Sequence, residues 1–491
     1  MTLSKVQLEQ RRVELTAHPL QRVGAFALAG LEGSDGVRAG SLAELTVDGF
    51  DAAVAQMEGD ALRAARVADT KAGDGFWLKT SGSFFPNSKM NHPSRLKKLD
   101  SLEREIHTWR SIPAEADWPD APCALCGRAS VGFYGKSDIA LAESVAYRNS
   151  TPRAHAGMAL CWPCLCSFHA LPYGCVLTGG PSSVVHSWDE VFLETVVRAQ
   201  VRQNHQHIAL GRPVEAGRSR DLKAVRVLRH YRPARADPAV EPSIRDGVEL
   251  YVFSNSNRDQ VLDVHRLSRP LAQWLIASGA SRYAREYWAL KRAHQTEYAP
   301  ASVVLARALF NRPEKIIPTA AGRLRTLAKK VKRAPDCAAL LARACFAFAE
   351  EALEVKDSDT KEIEDLAERI ALKIEQRTDI SGEFTGFLRA SADARRLRSL
   401  LLKWSVAWLS DPPRAEDGRP LVKGPLVNTA QFRLLFDPDV ADGWLHRSLL
   451  TFAVLERLCL DGWEPPDGKD VADAFNDEVL SEPNDDDEEE E

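Results

Sequence analysis

Two Cys-x-x-Cys pairs, Cys123–Cys126 and Cys161–Cys164, are separated by 34 residues in this chain of 491. A two-residue spacer lets both thiolates of a pair point at one ion, so two pairs supply the four sulfur ligands of a tetrahedral zinc site. Gly127, directly after the first pair, permits the tight turn that such a site favours. Because four protein thiolates leave no coordination position for water, we predict that these cysteines hold a structural Zn²⁺ and not a catalytic one.

The cysteine-rich region also has other interpretations. Six of the nine cysteines fall between residues 123 and 175, a density that indicates metal binding in a reducing compartment. Cys166, His169 and Cys175 offer substitute ligands, although packing is the simpler interpretation of each. The two pairs are also compatible with reduced core cysteines or with a redox-active Cys-x-x-Cys.

Signatures of catalysis are missing from the sequence. Nucleases built on two Cys-x-x-Cys pairs carry an Asp-His step between them, but the intervening segment here holds only Asp138, Asn149 and His155, with no His next to an Asp. The chain also lacks His-Glu-x-x-His, Gly-x-Ser-x-Gly and Gly-x-Gly-x-x-Gly motifs. In Gly73–Thr80, Leu78 occupies the position where a phosphate-binding loop requires glycine. We therefore predict that the protein is not an enzyme.

Charge is divided between an acidic end and a mildly basic body. The formal net charge is −5, and Glu482 and the run Asp485–Glu491 contribute eight of the acidic residues, which leaves +3 on the rest of the chain. A negatively charged partner is therefore compatible with the composition. No apolar stretch reaches the roughly 18 to 20 residues of a membrane span, and the N-terminus has no secretory signal. We predict a cytoplasmic protein without a membrane segment.

The patterning predicts an α+β fold in which a mixed N-terminal domain carries an inserted four-cysteine zinc module and is followed by a C-terminal α-helical bundle. Strand-like runs are Lys223–Tyr231 and Val248–Phe253, whereas apolar spacings of three and four recur after about residue 300. The predicted segments are 1–115 (N-terminal α+β region), 116–180 (zinc module), 181–295 (mixed α/β basic region), 296–465 (helical bundle) and 466–491 (disordered acidic tail).

Three clusters of basic and polar residues are candidates for nucleic-acid binding. The first is an ordered loop, Ser81–Asn91, with its flanks; its candidate residues are Lys79, Ser81, Asn87, Lys89, Asn91, Arg95, Lys97 and Lys98. Such a loop offers amide and hydroxyl groups for base edges and cations for phosphates. A structural turn that buries Phe84 and Phe85 is the competing interpretation.

The second and third clusters are candidate phosphate contacts. The second contains Arg218, Arg220, Lys223, Arg226 and Arg229, and the third contains Arg325, Lys329 and Arg333. Residues of the third cluster recur every four positions and would share one helix face. Ordinary solvated surface is the alternative for both clusters.

The order of motifs resembles the large subunit of type I CRISPR effector complexes (Cascade), particularly the type I-B subunits that carry a zinc module. The matching motifs are His18-Pro-Leu-Gln-Arg-Val-Gly24, Ser83-Phe-Phe-Pro-Asn-Ser88, Cys123-x-x-Cys126-Gly127 and Cys161-x-x-Cys164 leading into Leu171-Pro-Tyr-Gly174. The resemblance covers the first 180 residues by motif and the remainder by architecture. The short acidic tail and residues 200–300 depart from the family pattern.

The resemblance implies a non-enzymatic role in antiviral defence. Such a subunit would work with guide RNA, target double-stranded DNA and the backbone and small subunits of the complex. It would recognise the protospacer-adjacent motif, help to unwind the DNA, stabilise the R-loop and recruit a separate helicase-nuclease. It also implies that the Ser81–Asn91 loop reads the flanking motif, with Asn87, Lys89 and Asn91 as contacts.

Other functions remain open at the level of sequence. The main alternative is a stand-alone zinc-containing protein that binds nucleic acid without a guide-RNA complex. A nuclease built on the cysteine module is a second alternative, and a scaffold whose helical bundle binds another protein is a third.

Overall fold

The computed structural model describes most of the chain between residues 4 and 460. The described ranges are 4–31, 41–67, 76–85, 88–91, 95–136, 138–141, 157–177, 181–210, 219–233, 240–255, 260–279, 282–296, 298–331, 338–414, 421–440 and 442–460. Within these ranges, the description does not extend to the side chains of residues 79, 81, 82, 91, 325–331 and 338. The predicted disordered tail, 466–491, lies outside the described residues.

The chain divides into two units. The first comprises Met1–Val227, Tyr231–Val240 and Ile244–Arg266, and the second comprises Leu228–His230, Glu241–Ser243 and Leu267–Glu491. The segments predicted for residues 1–115 and 116–180 therefore lie together in the first unit. The second unit begins near residue 267, so it includes the segment predicted as a helical bundle and some thirty residues before it.

Helices dominate the first unit. They are α1 (Lys5–Glu9), α2 (Pro19–Leu31), α3 (Val47–Arg66), α4 (Phe76–Phe84), α5 (Leu99–Trp109), α6 (Trp162–Ala170), α7 (Glu190–Ala209) and α8 (Arg220–Arg229), whose last two residues belong to the second unit. Side-chain caps define several of their starts, because an unpaired N–H in the first turn needs an acceptor. The Asp189 carboxylate, for example, accepts hydrogen bonds from the N–H groups of Val191 and Phe192 at the start of α7.

Helix α2 lies at the centre of the first unit and packs against α6 and α7. The residues on its packed faces are mostly small, and Val23, Ala25 and Ala27 are fully buried. Small side chains allow the helices to pack closely. At Gly24 the approach is closest: an added Cβ would overlap the carbonyl group of Ser167 in α6. Only glycine permits the two helix backbones to lie at this separation.

Two small sheets complete the first unit. Strand β1 (Gly132–Tyr134) pairs antiparallel with β2 (Met158–Leu160), in a register that sets Gly132 opposite Leu160. A second sheet has the order β3-β4-β5, formed by β3 (Ser182–His186), β4 (Val248–Asn255) and β5 (Gln260–Leu267). Strand β3 pairs antiparallel with β4, and both contribute to the core through Val184 and Phe253.

The second unit is helical throughout its described secondary structure. Its helices are α9 (Arg269–Gly279), α10 (Ala284–Ala293), α11 (Ala301–Asn311), α12 (Ile316–Val331), α13 (Ala338–Glu351), α14 (Asp357–Glu375), α15 (Ile380–Ala390), α16 (Ala394–Ser410), α17 (Thr429–Phe436) and α18 (Gly443–Leu460). Helix α18 packs against α12, α13, α14 and α17, and its core contacts include the fully buried Leu449, Phe452 and Leu455. In the described parts of both units, no helix is long and apolar enough to cross a membrane.

The predicted fold class, α+β with a cysteine cluster and a helical C-terminal region, is confirmed. Two local predictions are wrong. The run Lys223–Tyr231 is not a strand, because α8 covers most of it. The buried residues of this run are Ala224, Val225, Leu228 and Tyr231, at the three-to-four spacing of a helix rather than the alternation of a strand.

The Ser81–Asn91 segment is also not a single loop. Helix α4 continues through Phe84, and a 3₁₀ turn covers Lys89–Asn91. The helix is stabilised by burial of one face, since Trp77, Thr80 and Phe84 are buried at successive turns. The strand signals predicted within residues 1–115 likewise correspond to helices wherever that segment is described and regular.

Candidate metal centre

The four cysteines of the two Cys-x-x-Cys pairs meet in the first unit. The sulfur atoms of Cys123, Cys126, Cys161 and Cys164 all lie within 4.8 Å of one another. The Sγ atom of Cys126 is 3.4 Å from that of Cys161 and 3.8 Å from that of Cys164. A tetrahedral centre with metal–sulfur bonds of about 2.3 Å has sulfur–sulfur edges of about 3.8 Å. The arrangement therefore matches the size of a four-thiolate metal site.

The first pair lies on a tight turn. The N–H of Gly127 donates to the carbonyl oxygen of Cys123 at 2.9 Å, and the N–H of Cys123 donates to the carbonyl oxygen of Arg128 at 2.6 Å. Gly127 has a φ of +78°, a conformation that favours glycine because a side chain would clash with its own backbone. The prediction that Gly127 makes the turn is confirmed.

The second pair lies at the start of a helix. Cys161 is the N-cap of α6, and Cys164 is in the first turn. Pro163 is tolerated there because the N–H that it lacks has no partner within the first turn of a helix. The partial positive charge of a helix N-terminus stabilises nearby thiolates, so this position favours the ionised form that binds metal.

Backbone pairing brings the two pairs together across the intervening residues. The N–H of Ala124, inside the first pair, donates to the carbonyl oxygen of Ala159 at 2.9 Å. The N–H of Val131 donates to the carbonyl oxygen of Leu160 at 2.8 Å, one residue before Cys161. Because β1 and β2 continue this ladder, the two pairs have a fixed relative position.

The electrostatics of the cluster require a cation for full ionisation. Thiol donors, first that of Cys126, lower the pKa of Cys123 far below its ordinary value. The pKa values of Cys161 and Cys164 are raised far above theirs, first through hydrogen bonding with Cys123. One thiolate is thus stabilised by its neighbours, while further negative charges repel it. A bound divalent metal ion removes this repulsion and stabilises all four thiolates together.

Gln10, at the end of α1, links the two pairs through its side chain. Its Nε2 atom donates to the carbonyl oxygen of Ala129 at 3.0 Å, and its Oε1 atom accepts from the N–H of Trp162 at 2.8 Å. The side chain is almost fully buried, with 1% exposure. Sequence analysis did not identify Gln10, because nothing in its local sequence relates it to cysteines more than 110 residues away.

Arg128 provides a second link around the cluster. Its guanidinium group donates to the carbonyl oxygens of Glu9 and Arg12 and pairs with the Glu14 carboxylate at 2.5 Å. It also lies close enough to Cys126 and Cys161 to interact with their charges. The residues around α1 therefore both support the cluster mechanically and reduce its negative charge.

Replacing Gln10 with leucine is expected to weaken metal binding about 10- to 100-fold, the usual effect of removing an outer-shell partner. The physical reason is that both hydrogen bonds are lost, so the two pairs are less well fixed in relation to each other. Competition with a chromophoric chelator measures the affinity. Gln7→Leu is the matched control, because the Gln7 side chain is exposed and its oxygen accepts a hydrogen bond from the N–H of Ser4, the N-cap of α1. Equal affinities for the two variants would contradict the role of Gln10.

The other candidate ligands lie apart from the cluster. Among the described residues, the only group with metal-ligand spacing is the set of four cysteines. Cys166 and Cys175 are fully buried in the core, and burial raises the pKa of each thiol. His169 is buried as well, and burial holds its pKa well below the ordinary value. Asp138 accepts a hydrogen bond from the N–H of Gly135, while Asn149 and His155 lie outside the described residues.

The first predicted nucleic-acid cluster is split between surface and interior. Lys89, Lys97 and Lys98 are exposed, and Lys89 pairs with Glu105 at 2.5 Å. Arg95 is buried, and its Nη2 atom donates to the carbonyl oxygen of Val67 at 2.5 Å. Its guanidinium group is therefore bonded inside the protein and is not presented at the surface. Phe84 and Phe85 are buried too, as the competing interpretation of this segment predicts.

The described side chains of the second cluster are only partly exposed. Arg220, Lys223, Arg226 and Arg229 are all half-buried in α8. The Arg229 guanidinium lies 3.9 Å from the ring centre of Tyr287, a cation–π contact within the second unit. This arrangement differs from an open row of cations along a strand, because a helix distributes these side chains around its axis.

Several predicted contacts lie outside the description of the structure. Asn87, Arg218 and Arg333 are outside the described residues. Lys79, Ser81, Asn91, Arg325 and Lys329 are described only in their backbone: the first two are in α4, Asn91 ends a 3₁₀ turn, and the last two are in α12. The helical placement of Arg325 and Lys329 agrees with the predicted spacing.

Comparisons with protein-family models, with curated proteins and with solved structures give no match. The functional assignment therefore depends on the residues and geometry of this chain.

Proposed function

We propose that this chain is the large subunit of a type I CRISPR effector complex. In this role it is a non-catalytic, zinc-stabilised protein that binds target DNA beside the guide-paired region, recognises the flanking motif and recruits a separate helicase-nuclease. Sequence is then read by guide pairing, while the protein binds the flanking duplex and the phosphate backbone. The partners are guide RNA, double-stranded DNA and the other subunits of the complex.

The observation that carries the proposal is the convergence of four motifs in one core. The segment beginning at His18 packs on α6, where the His18 ring lies 5.3 Å from that of Phe168. Phe85, from the second motif, lies 6.4 Å from the ring of His169 in the same helix. Cys161 and Cys164 begin that helix. Motifs that are separate in the sequence therefore pack together in one core. This supports the resemblance on which the proposal is based.

The motif Leu171-Pro-Tyr-Gly174 belongs to the same unit. The Tyr173 hydroxyl donates to the Asp60 carboxylate at 2.7 Å and accepts from the Trp77 indole N–H at 2.9 Å. All three side chains are buried, so the network joins α3, α4 and the 3₁₀ turn Leu171–Gly174 that follows α6. It accounts for the motif by packing, without a catalytic role.

We assign the metal as zinc from the chemistry of the donor set. Four thiolates in a tetrahedral arrangement favour zinc or an iron–sulfur centre. The cluster has sulfur spacings that suit a single ion, and two pairs with two-residue spacers are typical of structural zinc sites. A closed set of four ligands supplies folding free energy and leaves no position for a substrate, in agreement with a non-catalytic role.

Purification with its genomic neighbours tests the proposal directly. We expect the chain to be recovered with guide RNA and with repeated backbone subunits. Replacing Asn87 and Lys89 with alanine is expected to abolish the dependence of DNA binding on the flanking motif. Recovery of the chain alone, with DNA binding intact, would instead support the stand-alone nucleic-acid-binding protein. Metal-dependent cleavage of DNA by the purified chain would support a nuclease.

Salt dependence tests the exposed cations of the first cluster. Lys97 and Lys98 are exposed on one 3₁₀ turn, so their ammonium groups are accessible to phosphates. The double variant Lys97→Ala/Lys98→Ala is expected to make the negative slope of log affinity against log salt concentration shallower by about 1.8, corresponding to two lost phosphate contacts. Titrations with duplex DNA over a range of salt concentrations measure this slope.

The matched control changes two other lysines. Lys356 and Lys361 are exposed in the second unit, beside acidic residues of α14. Alanine at both positions is expected to leave the salt slope unchanged. An unchanged slope in the Lys97/Lys98 variant would remove these two residues from the proposed interface.

A further inference from the structure

Helix α16 has an exposed apolar stripe opposite its buried face. The buried face consists of Leu397, Leu401, Trp404 and Trp408. Leu402, Val406 and Leu409 are 51%, 68% and 75% exposed, respectively. Their spacing of four and three places them in one row along the helix. Contiguous exposed apolar side chains of this kind are typical of an interaction surface.

The N-terminal half of the same face is cationic. Arg395 and Arg398 continue the row toward the start of α16, and Arg396 and Lys403 lie on its flank. All four are exposed, including Arg398, whose guanidinium lies 5.2 Å from the Phe432 ring. The sequence of α16 contains no acidic residue. The exposed face is therefore cationic in its first half and apolar in its second half.

The C-terminal segment of the chain has the complementary order. Residues 470–491 contain twelve acidic residues and no basic residue. Val471, Phe475 and Val479 recur every four positions, as in a segment that presents one apolar face on binding. The densest acidic run, Asp485–Glu491, follows them. The apolar half of the segment thus precedes its anionic half.

We propose that residues 471–491 dock on the exposed face of α16, with a chain direction opposite to that of the helix. In this direction the apolar half of the segment meets the apolar half of the face. The run Asp485–Glu491 then meets Arg398 and Arg395. The parallel direction is disfavoured, because it would place the acidic run against apolar side chains without compensating charge.

The connection after α18 is long enough to reach back to the start of α16. Arg447, near the start of α18, interacts electrostatically with Asp393, the N-cap of α16. The helix rises about 20 Å from Arg447 to its end at Leu460. The connection formed by residues 461–470 spans up to about 34 Å when extended. Helix α16 itself, with 17 residues, is about 25 Å long.

Tethering favours this occupant over a separate chain. A short covalent connection gives a segment an effective concentration on the order of millimolar at its own surface, so even a weak contact is occupied. Carboxylates of the run Asp485–Glu491 would occupy the guanidinium groups that otherwise attract phosphates. The docked segment therefore shields the cationic half of α16 from other polyanions.

Hydrogen–deuterium exchange of the full-length protein, without nucleic acid, tests the docking. Amides of residues 471–480 are expected to exchange at least about tenfold more slowly than in an unstructured peptide. Val406→Asp places a carboxylate in the apolar row and is expected to abolish this protection. Arg395→Glu together with Arg398→Glu is expected to reduce it, since like charges would then face each other.

A matched control keeps the test independent of folding. Leu262 on β5 is 41% exposed and lies in the first unit, so Leu262→Asp makes the same kind of change elsewhere. In this variant, the protection of residues 471–480 from hydrogen exchange is expected to equal that in the wild type. Exchange at the unstructured rate in the wild type, or full protection in Val406→Asp, would overturn the proposal. Protection that falls on dilution would also overturn it, because it would identify a second copy as the occupant.

Discussion

Cys164→Ser is expected to abolish stoichiometric metal binding and to unfold the first unit under conditions in which the wild type is folded. The substitution removes one of four sulfurs that lie within 4.8 Å of one another. Structural zinc sites contribute on the order of 10 to 16 kcal/mol of apparent binding free energy in small peptides. Whole domains are stable by only about 5 to 15 kcal/mol. Loss of the site therefore removes a large part of the folding free energy.

Metal analysis and calorimetry together measure this effect. The wild type is expected to contain one zinc per chain, and Cys164→Ser much less. Its thermal transition for the first unit is expected to shift strongly downward or disappear. Removal of metal from the wild type with a strong chelator is expected to give the same result, because the four cysteines stabilise the fold only when they coordinate the ion.

Cys175→Ala is the matched control for the metal site. Cys175 is fully buried in the same unit but does not belong to the cluster. Its replacement is expected to retain the metal and to have a smaller effect on stability, since it removes only one buried sulfur atom. Full metal content in Cys164→Ser, or metal loss in Cys175→Ala, would contradict the assigned ligand set.

The second large effect concerns Gly24. Gly24→Ala is expected to destabilise the first unit by about 3 kcal/mol or more, toward the upper end of the range for overpacked cores. The added Cβ would overlap the carbonyl group of Ser167, a backbone atom that cannot rotate away. Relief requires α2 and α6 to separate, which weakens the packing on which the second cysteine pair depends. Denaturant unfolding measures the change in free energy.

Gly59→Ala tests the same substitution without the steric conflict. Gly59 lies inside α3, and an added Cβ there meets no atom within 4 Å. Alanine at this position is expected to stabilise the protein by about 0.5 to 1 kcal/mol, because it restricts the unfolded chain and favours the helix. Changes of opposite sign in the free energy of unfolding of the two variants would distinguish the effect of close packing from that of helix propensity. Similar small effects would show that α2 and α6 tolerate separation.

The candidate metal site was predictable because its signal is local. A two-residue spacer between ligands is a property of a few adjacent residues, and both pairs have it. Bringing the pairs together needed tertiary structure, through bonds such as that between Ala124 and Ala159. Gln10 and Arg128 were not predictable as supporting residues, since their contacts span more than 100 positions in sequence.

The basic clusters show the opposite case. Charge along the sequence predicts equal exposure for Arg95 and Lys97, yet Arg95 is buried and Lys97 is exposed. Long side chains enter the interior when a carbonyl group is available, here that of Val67. Such an acceptor comes from a different part of the chain. Counting charges alone therefore overestimates the number of cations on the surface.

The amino-acid sequence by itself predicted the four candidate metal ligands, the turn at Gly127 and the helical character of the C-terminal region. Each depends on chemistry or periodicity within a few residues, so it survives without knowledge of neighbours. Tertiary structure decided that α8 is a helix, that the four motifs share one core and that α16 leaves one face exposed. These features depend on which surfaces are buried together. Burial outweighs local propensity where a sequence is compatible with both a helix and a strand.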